Sequence, residues 1–124
     1  YGVMDNEAGM ERLSRRTTTG VDVMFIASDP TVRGVETALR IRDLARELKL
    51  DIARVALVVS RVRDGLPETL RALAEGANLE IAGAVPDDDA VRDLDEAGKA
   101  LSQLPAGSPA RRAVEGILTA YVKP

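Results

Sequence analysis

Apolar residues gather in short runs along the chain, at Gly2 to Met4, Val21 to Ala27, Val55 to Val59 and Ile81 to Val85. Each run is rich in Val and Ile and apolar at both odd and even positions, the pattern of strands covered on both faces. Parallel strands are therefore expected. Between the runs the apolar positions recur with the helical period. Val35, Ala38, Leu39, Leu44, Ala45 and Leu48 fall on one side, while Arg33, Glu36, Arg40, Arg46 and Glu47 fall mostly on the other. Asp29 and Pro30 predict the cap and first turn of that helix. A second helix is predicted over Pro67 to Glu75, stopping at Gly76, and a short acidic one after Pro86. Ser108 and Pro109 announce the last helix, whose Val114, Ile117, Leu118 and Tyr121 form one apolar stripe. The segment LSQLPAGSP reads as a connecting loop. Strand and helix in alternation, joined by right-handed crossovers, predict an α/β fold: an open, mostly parallel sheet of about four strands with flanking helices.

Composition narrows the chemistry. With 124 residues, 45% of them hydrophobic and 30% charged, the chain suits a single domain spanning residues 1–124. Its net charge of −3 argues against a nucleic-acid backbone as the principal partner, since neutralising phosphates needs clustered Lys and Arg. Cys and His are both absent, which removes disulfides, thiol nucleophiles, the usual zinc sites and a His general base. The aromatics are Tyr1, Phe25 and Tyr121, so the core is expected to be aliphatic and stacking platforms for single-stranded nucleic acid are missing. No apolar run approaches the roughly 18 residues of a membrane span, and no signal-peptide pattern opens the chain. A cytoplasmic protein without membrane contact is expected.

In open α/β sheets ligands sit beyond the carboxyl ends of the strands. Four such tips follow the apolar runs: Asp5 to Gly9, Ser28 to Thr31, Ser60 to Val62 and Val85 to Asp89. Asp29 and Ser108 also read as ordinary helix caps, and the DDD run as a solvated turn at a helix start. The first tip differs. An Asp ending a buried strand, with Gly four residues on, can hold a water on Mg²⁺ while the Gly amide approaches a terminal phosphate; the same spacing also arises without function.

The motifs D-x-E-A-G-x-E-x-x-x-R, SDPT-x-R-G and VPDD occur in family-like order and spacing, over nearly the whole chain. In them the sequence resembles the C-terminal half of the MinD/ParA-type deviant Walker A ATPases, and most of all the CooC-type proteins that mature carbon monoxide dehydrogenase. The resemblance implies a partial P-loop NTPase fold and an ATPase, using ATP and Mg²⁺, that dimerises around nucleotide and helps deliver nickel to the dehydrogenase as its client. Carried over by position, Asp5 and Gly9 become the switch II catalytic pair near Mg²⁺ and the γ-phosphate. Glu7, Glu11 and Arg12 lie on the segment coupling nucleotide state to the dimer partner. Asp29, Pro30 and Thr31 flank the nucleotide cleft. Ser60 and Arg61 stand where the family has an adenine-reading Asn and a basic residue, and Pro86 and Asp87 resemble the adenine-side wall. Ser lacks the paired donor and acceptor of an amide, which puts base reading by Ser60 in doubt. Pro86 and Asp87 read equally as a strand end and an N-cap.

Two family features are missing from these 124 residues: a GKGGVGKTT-like loop and a Cys-x-Cys pair. The expectation is that this chain alone neither hydrolyses ATP nor binds nickel, with no metal site. Its start at Tyr1 inside an apolar run reads as the back part of a longer ATPase; a stand-alone, non-catalytic interaction module built on the same fold is the alternative. In the family sheet the P-loop strand lies between the first two strands predicted here, so its absence leaves unpaired edges that favour pairing between copies. A homodimer is expected. A cell-positioning relative is disfavoured because the C-terminus carries no basic amphipathic membrane helix.

Overall fold

The computed structural model describes residues 20–100 and 103–122. Three parallel strands, β1 (Val21–Ser28), β2 (Ile52–Val62) and β3 (Glu80–Pro86), form one sheet in the order β1-β2-β3. Their crossovers contain α1 (Val32–Glu47) and α2 (Glu68–Gly76); α3 (Asp89–Glu96) and α4 (Pro109–Tyr121) follow β3. The expected strand at Gly2 to Met4, and with it the sheet's fourth member, lies outside the described residues.

Because each crossover steps one strand in the same direction and is right-handed, α1 and α2 fall on one face of the sheet, where they touch each other. Strand alternation sends Ile26, Leu57 and Val59 to that face. They meet Val35 and Ala38 of α1, Leu70 and Ala74 of α2, and Leu79, all at 5% exposure or less. The opposite face takes Phe25, Ala56 and Gly83. Here α4 lies against β3: a Cβ on Gly83 would stand 2.9 Å from Ile117 Cγ1, so the missing side chain permits the close approach. Tyr121 reaches Phe25 edge-on at 5.5 Å, lies under the Arg54 guanidinium at 4.4 Å, and donates its hydroxyl to Glu80.

Several sequence expectations shift. The helix predicted from Asp29 is capped by Thr31 instead, whose Oγ1 accepts from Gly34 N at 3.0 Å. Pro30 disfavours helical backbone at Asp29, and the Asp29 carboxylate is engaged elsewhere. Nor does the α1 face follow apolarity alone: Arg42 is buried, its Nη1 donating to the Ala77 carbonyl at 2.7 Å and its Nε to Asp43 at 2.8 Å. The predicted α4 stripe is only half covered, for Val114 and Leu118 remain 42% and 44% exposed. Ser108 caps α4 as expected, accepting from Arg111 N at 3.3 Å with Pro109 in the first turn.

Candidate functional site

The parallel strands end side by side, which brings Ser28 to Thr31, Ser60 to Arg63 and Pro86 to Asp89 to one end of the sheet. They enclose an open cavity of about 370 Å³ lined by Asp29, Pro30, Thr31, Arg61, Arg63, Asp87 and Arg92.

Local structure aims these side chains. The register between β2 and β3 is irregular from Val59 to Val62, so Ser60 and Arg61 interrupt the regular ladder. Arg61 adopts left-handed backbone, φ 55°, uncommon for a side chain of its size, and such bulges redirect side chains at sites. Its guanidinium Nη2 donates to Asp29 Oδ1 across the tips of β1 and β2. The Asp29 hydrogen bond holds the Arg61 guanidinium charged beyond its ordinary range. Arg63, just past the end of β2, donates through Nε to Asp87 Oδ2 at 3.0 Å. Arg92 on α3 donates to the same oxygen at 3.0 Å. Those two guanidiniums, Arg63 first, hold the Asp87 carboxyl below the usual carboxylate range.

The acidic run after Pro86 divides its labour. Asp87 N still donates to Val62 O at 3.0 Å, continuing the sheet, and its side chain belongs to the arginines. The helix cap expected at Asp87 therefore falls to Asp88. Asp88 accepts from Ala90 N at 2.9 Å to cap α3, and from the Ser108 hydroxyl and Ala110 N at the start of α4. One carboxylate thus ties two helix starts together, and the Ser108 hydrogen bond above all lowers its pKa. Asp89 pairs with Arg92 at 3.2 Å.

Of the residues singled out for nucleotide, Arg61 and Asp87 line the cavity, as do Asp29, Pro30 and Thr31. Pro86 ends β3 just behind it. Ser60 turns away, its hydroxyl donating to the Ser28 carbonyl at 3.3 Å. Asp5, Glu7, Gly9, Glu11 and Arg12 lie outside the described residues. Arg63 and Arg92 were missed; the repeated Arg of S-R-V-R at a strand tip carried a signal for Arg63, whereas Arg92 sits on a helix where i,i+3 pairing with Asp89 is an ordinary surface feature.

Chemically, the cavity offers several guanidiniums and two carboxylates with no imidazole or thiol. Such a set is suited to binding polar heterocycles or anions. Among the described residues no group of three or more acidic side chains is placed to hold a metal ion, and no helix is long and apolar enough to cross a membrane.

A sheet of parallel strands with helices on both faces and a polar cavity at the carboxyl strand ends is the partial α/β architecture of P-loop NTPases. Solved structures agree: the chain superposes on a ParA family ATPase from Chlorobium tepidum (TM-score 0.62, 18% identity, 80% of this chain and 41% of that one). It also superposes on the MinD cell division protein of Aquifex aeolicus (TM-score 0.63, 19% identity, 94% and 51%). In sequence it is 36% and 33% identical to two uncharacterized ATP-binding proteins of Methanocaldococcus jannaschii, over 94% and 98% of this chain and 46% of each relative. It is 31% identical to the carbon monoxide dehydrogenase accessory protein CooC of Rhodospirillum rubrum, over 89% of this chain and 40% of CooC. No family model matches the sequence. The chain thus resembles CooC-like ATP-binding proteins in sequence and the MinD/ParA type in fold, spanning about half the length of the curated relatives it matches.

Proposed function

We propose that these residues supply the base-side wall of the nucleotide site in an ATPase similar to CooC, one that assists nickel insertion into carbon monoxide dehydrogenase. The observation that carries this reading is the convergence of SDPT, SRVR and VPDD on one cavity at the strand ends, in a chain whose relatives are named for ATP binding and for the dehydrogenase. In the whole protein Asp5 and Gly9 would serve Mg²⁺ and the γ-phosphate, Glu7, Glu11 and Arg12 would transmit nucleotide state to a second copy, and the protein would act in the cytoplasm as a homodimer. The donors and acceptors that line the cavity support the reading of a base site. For the triphosphate these 124 residues contain no glycine-rich loop with its lysine, so this chain alone should be inactive. Titration calorimetry with Mg-ATP should show no binding tighter than millimolar; a micromolar site would remove the claim. For the nickel role, a protein joining these residues to a phosphate-binding loop should activate nickel-free dehydrogenase with nickel only when Mg-ATP is present. Activation that ignores ATP would refute it.

One observation favours a second reading. Val114 and Leu118 are exposed one helical turn apart on α4, the kind of apolar pair that a stand-alone interaction module would keep for a partner. Light scattering of this chain across concentrations separates the cases: a concentration-dependent dimer supports copy-to-copy pairing, and a monomer throughout points to a different partner.

A further inference from the structure

We infer that the Arg61–Asp29 pair, and not Ser60, reads the base, and that it selects adenine. The inference rests on the strand tips being a nucleotide site. A selective reader must offer groups that complement the edge of the heterocycle. Adenine presents the N7 acceptor beside the N6 amino donor, so its reader needs one donor next to one acceptor, the combination an amide side chain carries in a single group. No Asn or Gln lines the cavity, and the Ser60 hydroxyl is committed to the Ser28 carbonyl at 3.3 Å. What the tips do provide is the same combination split between two side chains. Asp29 is the acceptor and Arg61 the donor, held side by side by one hydrogen bond from Nη2 to Oδ1.

That contact leaves Asp29 Oδ2 and the Arg61 Nη1 and Nε protons without another partner among the described residues. Both side chains are open to solvent, 53% and 67% exposed, so a ligand can reach them. The pair is also placed with some care by the fold. Arg61 stands in left-handed backbone inside the irregular stretch of β2, while Asp29 is freed from capping because Thr31 does that work. By contrast Asp87 is held by Arg63 and Arg92 at 3.0 Å each. Hypoxanthine and guanine present two acceptors, O6 and N7, on this edge. Arg61 suits them, but the Asp29 carboxylate repels O6.

The test uses nucleosides, which have no phosphates and so do not depend on a phosphate-binding loop. Adenosine and inosine are titrated into the 124-residue protein at millimolar concentration and followed by backbone amide NMR shifts. The wild-type chain should prefer adenosine by about fivefold or more, the low end of discrimination by a paired base contact. In D29A the preference should invert, with adenosine weakening and inosine strengthening as Arg61 is left to face O6 and N7. R61A should weaken both. D29A keeps the α1 cap, because Thr31 supplies it. An unchanged adenosine-to-inosine ratio in D29A overturns the inference while leaving the nucleotide site standing, as does loss of adenine preference in S60A with D29A behaving as wild type. If neither nucleoside shifts the amides of residues 28–31, 60–63 and 86–92, the site reading falls and this inference with it.

Discussion

Arg42, on α1, and Arg61, at the carboxyl end of β2, show how differently one residue type can be held in the same fold. The Arg42 side chain is 8% exposed and gives its shortest bond, 2.7 Å, to the Ala77 backbone carbonyl where α2 runs into β3. Its removal would leave this part-buried acceptor without its side-chain partner. The Arg61 side chain is 67% exposed, paired among the described residues with another exposed side chain, on backbone that L residues seldom adopt. Such a pair adds little to stability.

The largest effect should come from the sealed face. Leu57, fully buried beneath α1 and α2, should lose about 3 kcal/mol or more on truncation to Ala, read from urea midpoints at constant m-value. Arg42→Ala should cost about 2 kcal/mol through the orphaned carbonyl and lost packing, whereas Arg61→Ala should leave the urea midpoint where it is. Equal destabilisation by the two substitutions would erase the contrast drawn between them. Gly83→Ala should cost about 1 kcal/mol, because the new methyl meets Ile117 at 2.9 Å and α4 must give way.

A pH experiment sharpens the same contrast at the tips. The fold lowers the Asp88 pKa through Ser108, Ala110 and Ala90, and that of Asp87 through Arg63 and Arg92. A depressed folded pKa means stability that is fully present above the ordinary Asp value, about 3.9, and is lost as pH falls through the lower folded value. Acid should therefore loosen the α3 and α4 starts below about pH 4, and D88N should flatten that part of the stability curve. A D88N protein with the wild-type acid profile would show that Asp88 does not hold those helix starts.

Much of this was legible in the sequence because the strongest signals are local. Doubly apolar runs at Val21 to Ala27, Val55 to Val59 and Ile81 to Val85 are the cores of the three described strands. The helix end marked by Gly76 and the start marked by Ser108 with Pro109 fall where they are expected, although the left-handed residue after α2 is Asn78 and not the glycine. What the sequence hid depends on tertiary partners. Arg42 reads as a polar residue on a helix, and only the Ala77 carbonyl, distant in sequence, makes it a core residue. Asp29 reads as a cap until Arg61 claims it, and Asp87 until Arg63 and Arg92 do. The α4 stripe is apolar throughout, yet only the side facing Gly83 and Phe25 has a surface to meet. At the tips, position in an open α/β sheet pointed to the end where the cavity lined by Asp29, Arg61 and Asp87 lies, while the pairing of charges that shapes it appears only in three dimensions.

The measurement that bears most directly on the account is a map of amide shifts as ATP is added to the 124-residue protein at millimolar concentration. The account predicts saturable changes at residues 28–31, 60–63 and 86–92, the tips surrounding Arg61, Asp29 and Asp87. Changes centred instead at the opposite end of the sheet, in the cavity beside Arg42, Arg46, Lys49 and Asn78, would contradict it.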